Sequence, residues 1–308
     1  MSSLLDDEKT WIARDFGLDR RLLKALSKLG FVYPTLVQSR CIPIALQGKD
    51  VLVRARTGSG KTVAFSLPLL HKLLTSKDAE QSSSNSARIQ CIVLVPTKEL
   101  CKQTEKFMND LIYYCRDHVS LVALADDNVS VQQHRLKSKP DIIISTPARL
   151  VQQIKAGAVD LSAVRTLVID EADLVLSFGY ADDVHTITSK MPKIFQGFLM
   201  SATLSPELEK FKRVVLHNPA VLKLEETQSE GHLLQFYLGS TENDKFLILY
   251  VFMKLGLLQG KGLIFVNDVN KCYRLKLFLQ QFFISAAVLN AEVPLNSRLH
   301  ILDVRVES

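Results

Sequence analysis

The chain has 308 residues, 38 Lys and Arg against 32 Asp and Glu, a formal net charge of +6 and 47% hydrophobic residues, which favours about two domains with real cores. No apolar run approaches the roughly 18 to 20 residues that span a bilayer, and the N-terminus MSSLLDDEKTW is acidic without a signal-peptide core, so no membrane partner is expected and the protein is expected inside the cell. Five cysteines without CxxC spacing read as reduced thiols, the seven histidines form no HxxxH pair and so indicate no zinc, and a pI near 9.0 suits a polyanionic partner without requiring one.

In chain order, residues 1–17 read as an N-terminal extension. Leu18, Leu22, Leu26 and Leu29 follow at helical spacing, and Gly30 stops that helix. Apolar strand-like runs at 51–53, 89–95, 119–124, 141–145, 165–170 and 196–200 then alternate with helical patterns long enough to cross a sheet. This predicts an α/β fold, a parallel sheet with helices on both faces and ligand loops at the carboxyl ends of its strands. The polar stretch 75–88 reads as a disordered surface loop. A further strand is expected near 221–224, and the polar segment 226–232 reads as a linker closing a first domain at 18–225. Beyond it a new alternation is expected: strand 233–238, helix 243–256, strand 262–266, helix 269–282, strand 286–289 and helix 296–303.

Two stretches carry chemistry. ARTGSGKT (55–62) lies between a strand-like run and a helical pattern, the placement in which GxxxxGK[ST] loops wrap backbone N–H groups and a helix N-terminus around phosphates. Ala55 stands at the first glycine position, Gly58 and Gly60 make the turn, and Arg56, Thr57 and Ser59 complete the loop. Lys61 is expected to reach the β- and γ-phosphates of ATP, and the Thr62 hydroxyl to hold Mg²⁺. VRTLVIDEAD (164–173) ends a buried-strand run on adjacent carboxylates. Asp170 is assigned to the metal and Glu171 to the attacking water; by itself the same run equally suits a helix N-cap.

With these, GFVYPTLVQ (30–38), PTKEL (96–100), TPAR (146–149), SAT (201–203) and LIFVN (263–267) stand in an order that resembles the DEAD-box RNA helicases from about Leu18 to about Leu302. The resemblance implies a RecA-like P-loop domain followed by an incomplete second RecA-like domain, 233–308, and RNA-dependent hydrolysis of ATP with Mg²⁺. It implies that Gln38 selects adenine, with Thr35 and Arg40 nearby; an amide suits that task because it both donates and accepts. The family's upstream aromatic ring falls at Ala13, with Trp11 and Phe16 as candidate substitutes. Thr97, Lys98, Glu99, Thr146, Pro147 and Arg149 are implied as RNA contacts of the first domain and Asn267 of the second, contacting backbone phosphates independently of base sequence. Pro96 and Pro147 equally suit helix starts with threonine N-caps. Ser201 and Thr203 are implied to couple the ATP state to strand separation by hydrogen bonding Asp173.

VIDEADLVLSFGYADDV, FLMSATLSPELEKFK, LHNPAVLKLEE and FVNDVNKCYRLKLFLQQF are similar to the nucleolar subgroup that assists large ribosomal subunit assembly, which implies pre-ribosomal particles as partners and a nucleolar location. The chain departs from the family in having Lys98 where arginine is usual and no glycine pair near Ala125 and Asp126. It also has Leu295 where glutamine is expected three positions before Arg298, and neither ARGxD nor HRxGRxxR. The stretch 233–308 is short of the roughly 150 residues such a domain needs, so a truncated form is expected. An arginine finger is worth roughly 10³ to 10⁵ in turnover, so its absence is expected nearly to silence hydrolysis by the chain as given. The rival readings are a non-hydrolysing nucleotide- and RNA-binding module and a DNA translocase.

Overall fold

The structure, a computed structural model, describes residues 9–79, 88–126, 128–224, 234–258 and 260–307. The chain divides into two compact units, Met1–Gln228 and Ser229–Ser308. The expected linker, 226–232, lies outside the described residues, as does residue 233.

The first unit opens with α1 (Trp11–Arg14), α2 (Arg20–Lys28) and α3 (Leu36–Leu46). The Asp19 carboxylate accepts the Arg21 backbone N–H at 2.8 Å and starts α2, and a reciprocal Thr35–Gln38 capping box starts α3. Then β1 (Val51–Arg54), α4 (Lys61–Ala79), β2 (Cys91–Leu94), α5 (Lys98–Leu111), β3 (Leu121–Leu124), α6 (Val129–Leu136), β4 (Ile142–Ser145), α7 (Pro147–Lys155) and β5 (Thr166–Ile169) alternate. Two helices, α8 (Ala172–Ser177) and α9 (Ala181–Ser189), lead to β6 (Gln196–Ser201), α10 (Pro206–Val215) and β7 (Ala220–Lys223).

The seven strands form one sheet in the order β3-β4-β2-β5-β6-β1-β7, every pair parallel. CIVL, IIIS and TLVI are buried along their whole length, because helices cover both faces of a parallel sheet. Phe65 and Phe198 are among the largest fully buried side chains, each worth about 1.5–3 kcal/mol in burial. At the amino end of the strands the Gln196 amide donates to Ala45 O (2.9 Å) and Lys49 O (2.7 Å), while Asp50 accepts from the backbone N–H of Gly197 (2.8 Å) and His217 (2.6 Å). These buried and part-buried bonds lock β1 beside β6, so the loops at the opposite end are held in register.

The loop expected at 75–88 is partly helix. α4 runs through Ala79, with the Thr75 and Ser76 hydroxyls bonded back to His71 O and Leu73 O and Lys77 paired with Asp141 at 2.5 Å. Polar residues here decorate an exposed helix turn rather than break it. Residues 80–87 lie outside the described residues.

The second unit holds α11 (Lys245–Lys254), α12 (Val269–Gln281) and α13 (Leu295–Glu307). The strands expected at 233–238, 262–266 and 286–289 are not there: among the described residues of this unit no strand occurs. Apolar alternation states a preference for the extended form, but a strand exists only where a neighbour accepts its ladder. Tyr250, Phe278 and Phe282 stack together, the Tyr250 and Phe282 ring centroids 4.0 Å apart. Phe236, Tyr237, Phe265 and Phe283 are almost wholly exposed.

Candidate nucleotide and nucleic-acid site

The strand order decides what meets. β1 lies beside β6, and β6 beside β5, so the loop after β1 (55–60), the turn after β6 (201–203) and the carboxylates after β5 (170–173) share one edge. Farther along that edge lie the residues following β2, β4 and β3.

In the phosphate loop Gly58 and Gly60 have φ of +75° and +89°, and Ala55 is buried, its N–H bonded to Ser201 O at 3.0 Å. The Lys61 ammonium folds inward and donates to the carbonyls of Ala55 (2.6 Å) and Arg56 (2.8 Å). Burial holds its pKa below the ordinary lysine value, opposed by the charges of Asp170, Glu171 and Asp173. Ser59 is buried, and its hydroxyl has no hydrogen-bond partner among the described residues. Gln38 is engaged twice: its amide oxygen accepts from Thr35 N–H at 2.7 Å, and its amide nitrogen donates to Gly60 O at 3.2 Å. The first helical turn of α3 is thereby tied to the loop.

Asp170 is buried, and desolvation pushes its pKa up to about 6. Its carboxylate accepts the Glu171 N–H at 3.0 Å. Glu171, at φ 49° and ψ 50°, is a left-handed non-glycine residue capping α8, a conformation that costs about 1–3 kcal/mol and persists only where the surroundings hold it. Burial raises its pKa as well. Asp170, Glu171, Gly60 and Thr62 open onto one cavity of about 280 Å³, whose far wall is Gln103, Thr104 and Phe107 of α5. Gln103 and Phe107 went unread in the sequence; their i, i+4 spacing on one helix face is the only signal they leave.

Asp173 accepts from both the backbone N–H (3.2 Å) and the hydroxyl (3.0 Å) of Thr203. Ser201 does not reach Asp173; its hydroxyl donates to Thr203 O at 2.8 Å and shapes the turn that presents Thr203. The contact expected of both residues is made by Thr203.

Thr97 caps α5, accepting from Leu100 N–H at 3.2 Å, with Lys98 and Glu99 in the first turn. Pro96 therefore lies one residue before the N-cap and not at N1, where it was expected. Pro147 does occupy N1 of α7, but the Thr146 side chain makes no cap bond, which corrects the expectation of a threonine cap there. Arg149 donates to Asp126 O. Asn267 lies in the second unit, directly before Asp268, the N-cap of α12. Near the N-terminus Ala13 is exposed, while Trp11 is buried with its ring 5.6 Å from Phe16. Trp11 is thus part of the packing and not a free ring for a base.

The donor set fits ATP and Mg²⁺. Thr62 and Asp170 offer hard oxygens, and the orphaned Ser59 hydroxyl and the inward Lys61 ammonium are donors suited to phosphate oxygens. Mg²⁺ sites of this class use one or two carboxylates plus substrate phosphate and water.

A P-loop on a parallel sheet, facing a strand-end carboxylate pair, defines a nucleotide-binding α/β domain, and the sequence narrows the class further. The family description DEAD/DEAH box helicase matches residues 35–211, more than half of the chain, and the chain belongs to that family. It is 49% identical over 304 residues to the probable ATP-dependent RNA helicase ddx56 of Dictyostelium discoideum, covering 98% of this chain and 44% of that protein. To the ATP-dependent RNA helicase dbp9 of Schizosaccharomyces pombe it is 46% identical over 297 residues, covering 96% of this chain and 49% of that protein. The chain thus spans about half the length of these curated relatives. Among solved structures, S. cerevisiae Dbp5, in a complex with Gle1 and IP6, shares the fold with a TM-score of 0.71 at 23% identity, over 96% of this chain and 71% of that one.

Proposed function

We propose that this chain provides the ATP-binding half of an ATP-dependent RNA helicase, in which nucleotide binding and hydrolysis drive binding and local unwinding of RNA. The observation that carries the reading is the meeting of Lys61, Asp170, Glu171 and the Thr203–Asp173 contact at one sheet edge. In this reading Lys61 leaves the Ala55 and Arg56 carbonyls for the β- and γ-phosphates, and the loop amides and Ser59 hydroxyl complete the cradle. Thr62 and Asp170 hold Mg²⁺, which when bound neutralises charge on the transferred phosphoryl group. Glu171 orients the attacking water, and Gln38, with Thr35, selects adenine. Thr97, Lys98, Glu99, Thr146, Pro147 and Arg149, and Asn267 of the second unit, contact RNA phosphates without reading bases, so affinity is salt-dependent and sequence-tolerant. Thr203, presented by Ser201, passes the nucleotide state to Asp173.

The sequence strings similar to the nucleolar subgroup support pre-ribosomal particles as the RNA partners and the nucleolus as the location, and the names of the relatives support RNA as the partner. Among the described residues no helix is long and apolar enough to cross a membrane.

The test is ATP hydrolysis by the chain with and without single-stranded RNA, beside a nucleotide titration. Nucleotide and RNA binding, with weak RNA-stimulated turnover that Glu171→Gln abolishes, is the expected result. Nucleotide and RNA binding without turnover supports instead the non-hydrolysing module, and absence of nucleotide binding refutes both.

A further inference from the structure

The sheet edge that carries the proposed RNA contacts also carries a carboxylate that opposes them. In strand order β3, β4 and β2 are neighbours, so Ala125 and Asp126 after β3 stand beside the Thr146–Arg149 turn after β4, with the Thr97–Lys98 turn after β2 next in line. The backbone carbonyl of Asp126 accepts from both Arg149 and the buried Gln132, and Gln132 is itself bound by the buried Gln153 at 2.8 Å. The Asp126 carboxylate lies 3.3 Å from Arg135. Arg135 is held independently by Glu105 (2.6 Å) and by Ala123 O (3.1 Å). The fold therefore does not depend on the Asp126 carboxylate: the loop is fixed through its carbonyl, and Arg135 keeps two other partners. What the carboxylate adds is a half-exposed negative charge on the residue that Arg149 grips.

We infer that Asp126 is an affinity-setting residue of the nucleic-acid face, a fixed negative charge that competes with backbone phosphate for Arg149 and Arg135 and keeps RNA binding weak and releasable. The inference rests on the proposed RNA reading of this edge. A phosphate approaching Arg135 meets the carboxylate already paired with it, and one approaching Arg149 meets the negative charge of the residue whose carbonyl Arg149 holds. A helicase that must release its strand in each cycle gains from that opposition.

The test compares binding of a fluorescent single-stranded RNA oligonucleotide by the 308-residue chain, its Asp126→Asn and Asp126→Glu variants, and Asp160→Asn, which removes an exposed carboxylate in the loop before β5, at the opposite sheet edge. Asp126→Asn is expected to tighten binding roughly 3- to 10-fold at low salt and to steepen log K against log[salt] by up to about 0.7, the contribution of one further phosphate on a single strand. Asp126→Glu, which keeps the charge, is expected to bind as the parent does, and Asp160→Asn within about twofold of it. Equal gains from Asp126→Asn and Asp160→Asn reduce the effect to net charge and overturn the inference. If Arg149→Ala weakens binding while Asp126→Asn changes nothing, this inference fails and the RNA reading stands; if neither the parent nor Asp126→Asn binds RNA, both fail.

Discussion

Gly60→Ala separates two costs that the structure places on adjacent turns of the phosphate loop. Gly58 and Gly60 both have positive φ, +75° and +89°, so an alanine at either is strained, by about 1–3 kcal/mol. They differ in what a Cβ would meet. At Gly58 there is nothing within 4 Å, whereas at Gly60 the Gln38 amide nitrogen would lie at 2.3 Å and the Thr35 hydroxyl at 3.0 Å. A contact of 2.3 Å cannot be kept, and the group that must move is the side chain whose oxygen accepts Thr35 N–H at 2.7 Å. Gly60→Ala therefore adds loss of the α3 capping box, about 0.5–2 kcal/mol, to the strain. We expect about 1–3 kcal/mol for Gly58→Ala and about 1.5–5 kcal/mol for Gly60→Ala, the latter a fall of roughly 3–20 °C in melting temperature for a unit of this size. Urea unfolding followed by far-ultraviolet circular dichroism measures the difference, and a nucleotide titration follows the cradle. Adding Gln38→Ala to Gly60→Ala relieves the clash, so the double variant should lose less than the sum of the singles. Equal destabilisation at Gly58 and Gly60, or strict additivity with Gln38→Ala, would refute the reasoning.

Asp170, with its pKa pushed up to about 6 from 3.8 by burial, keeps its proton when folded across a window where the unfolded chain has lost it. Stability should therefore fall as pH rises from about 4 to 6, by about 3 kcal/mol at most. Asp170→Asn should flatten that profile in metal-free unfolding experiments and abolish Mg²⁺-dependent nucleotide binding, which in the parent rises through the same window. Thr203→Ala removes the hydroxyl bond to Asp173 but leaves its backbone N–H bond. At this exposed pair it should cost under about 1 kcal/mol and leave nucleotide affinity unchanged; on the proposed helicase function it should lower duplex unwinding relative to ATP turnover, read by a strand-displacement assay beside phosphate release. In the second unit the exposed rings of Phe265 and Phe283 should bind a hydrophobic dye. Replacing both with serine should reduce the dye signal while the melting of the first unit stays put; an unchanged signal would contradict the exposure of those rings.

Every motif that stands on a strand end was legible without coordinates, because the information is local. A buried-strand run followed by glycine, threonine or paired carboxylates states strand, turn and helix N-terminus in one short stretch, and the observed helices at Lys61, Lys98, Pro147 and Ala172 begin where those signals lie. Seven apolar runs likewise announced the seven strands of the first unit.

Which loops face each other was not local. It depends on the strand order β3-β4-β2-β5-β6-β1-β7, a consequence of crossover packing and of buried bonds such as those of Gln196 and Asp50 that join residues far apart in the chain. Only that order puts Thr203 on Asp173, makes Gln103 and Phe107 a wall of the cavity holding Asp170 and Glu171, and sets Asp126 against Arg149. The second unit carries the same lesson in reverse. Its apolar runs announce strands as clearly as those of the first, but a strand is completed by its neighbour's hydrogen bonds, and no residue pattern within a single run supplies the neighbour.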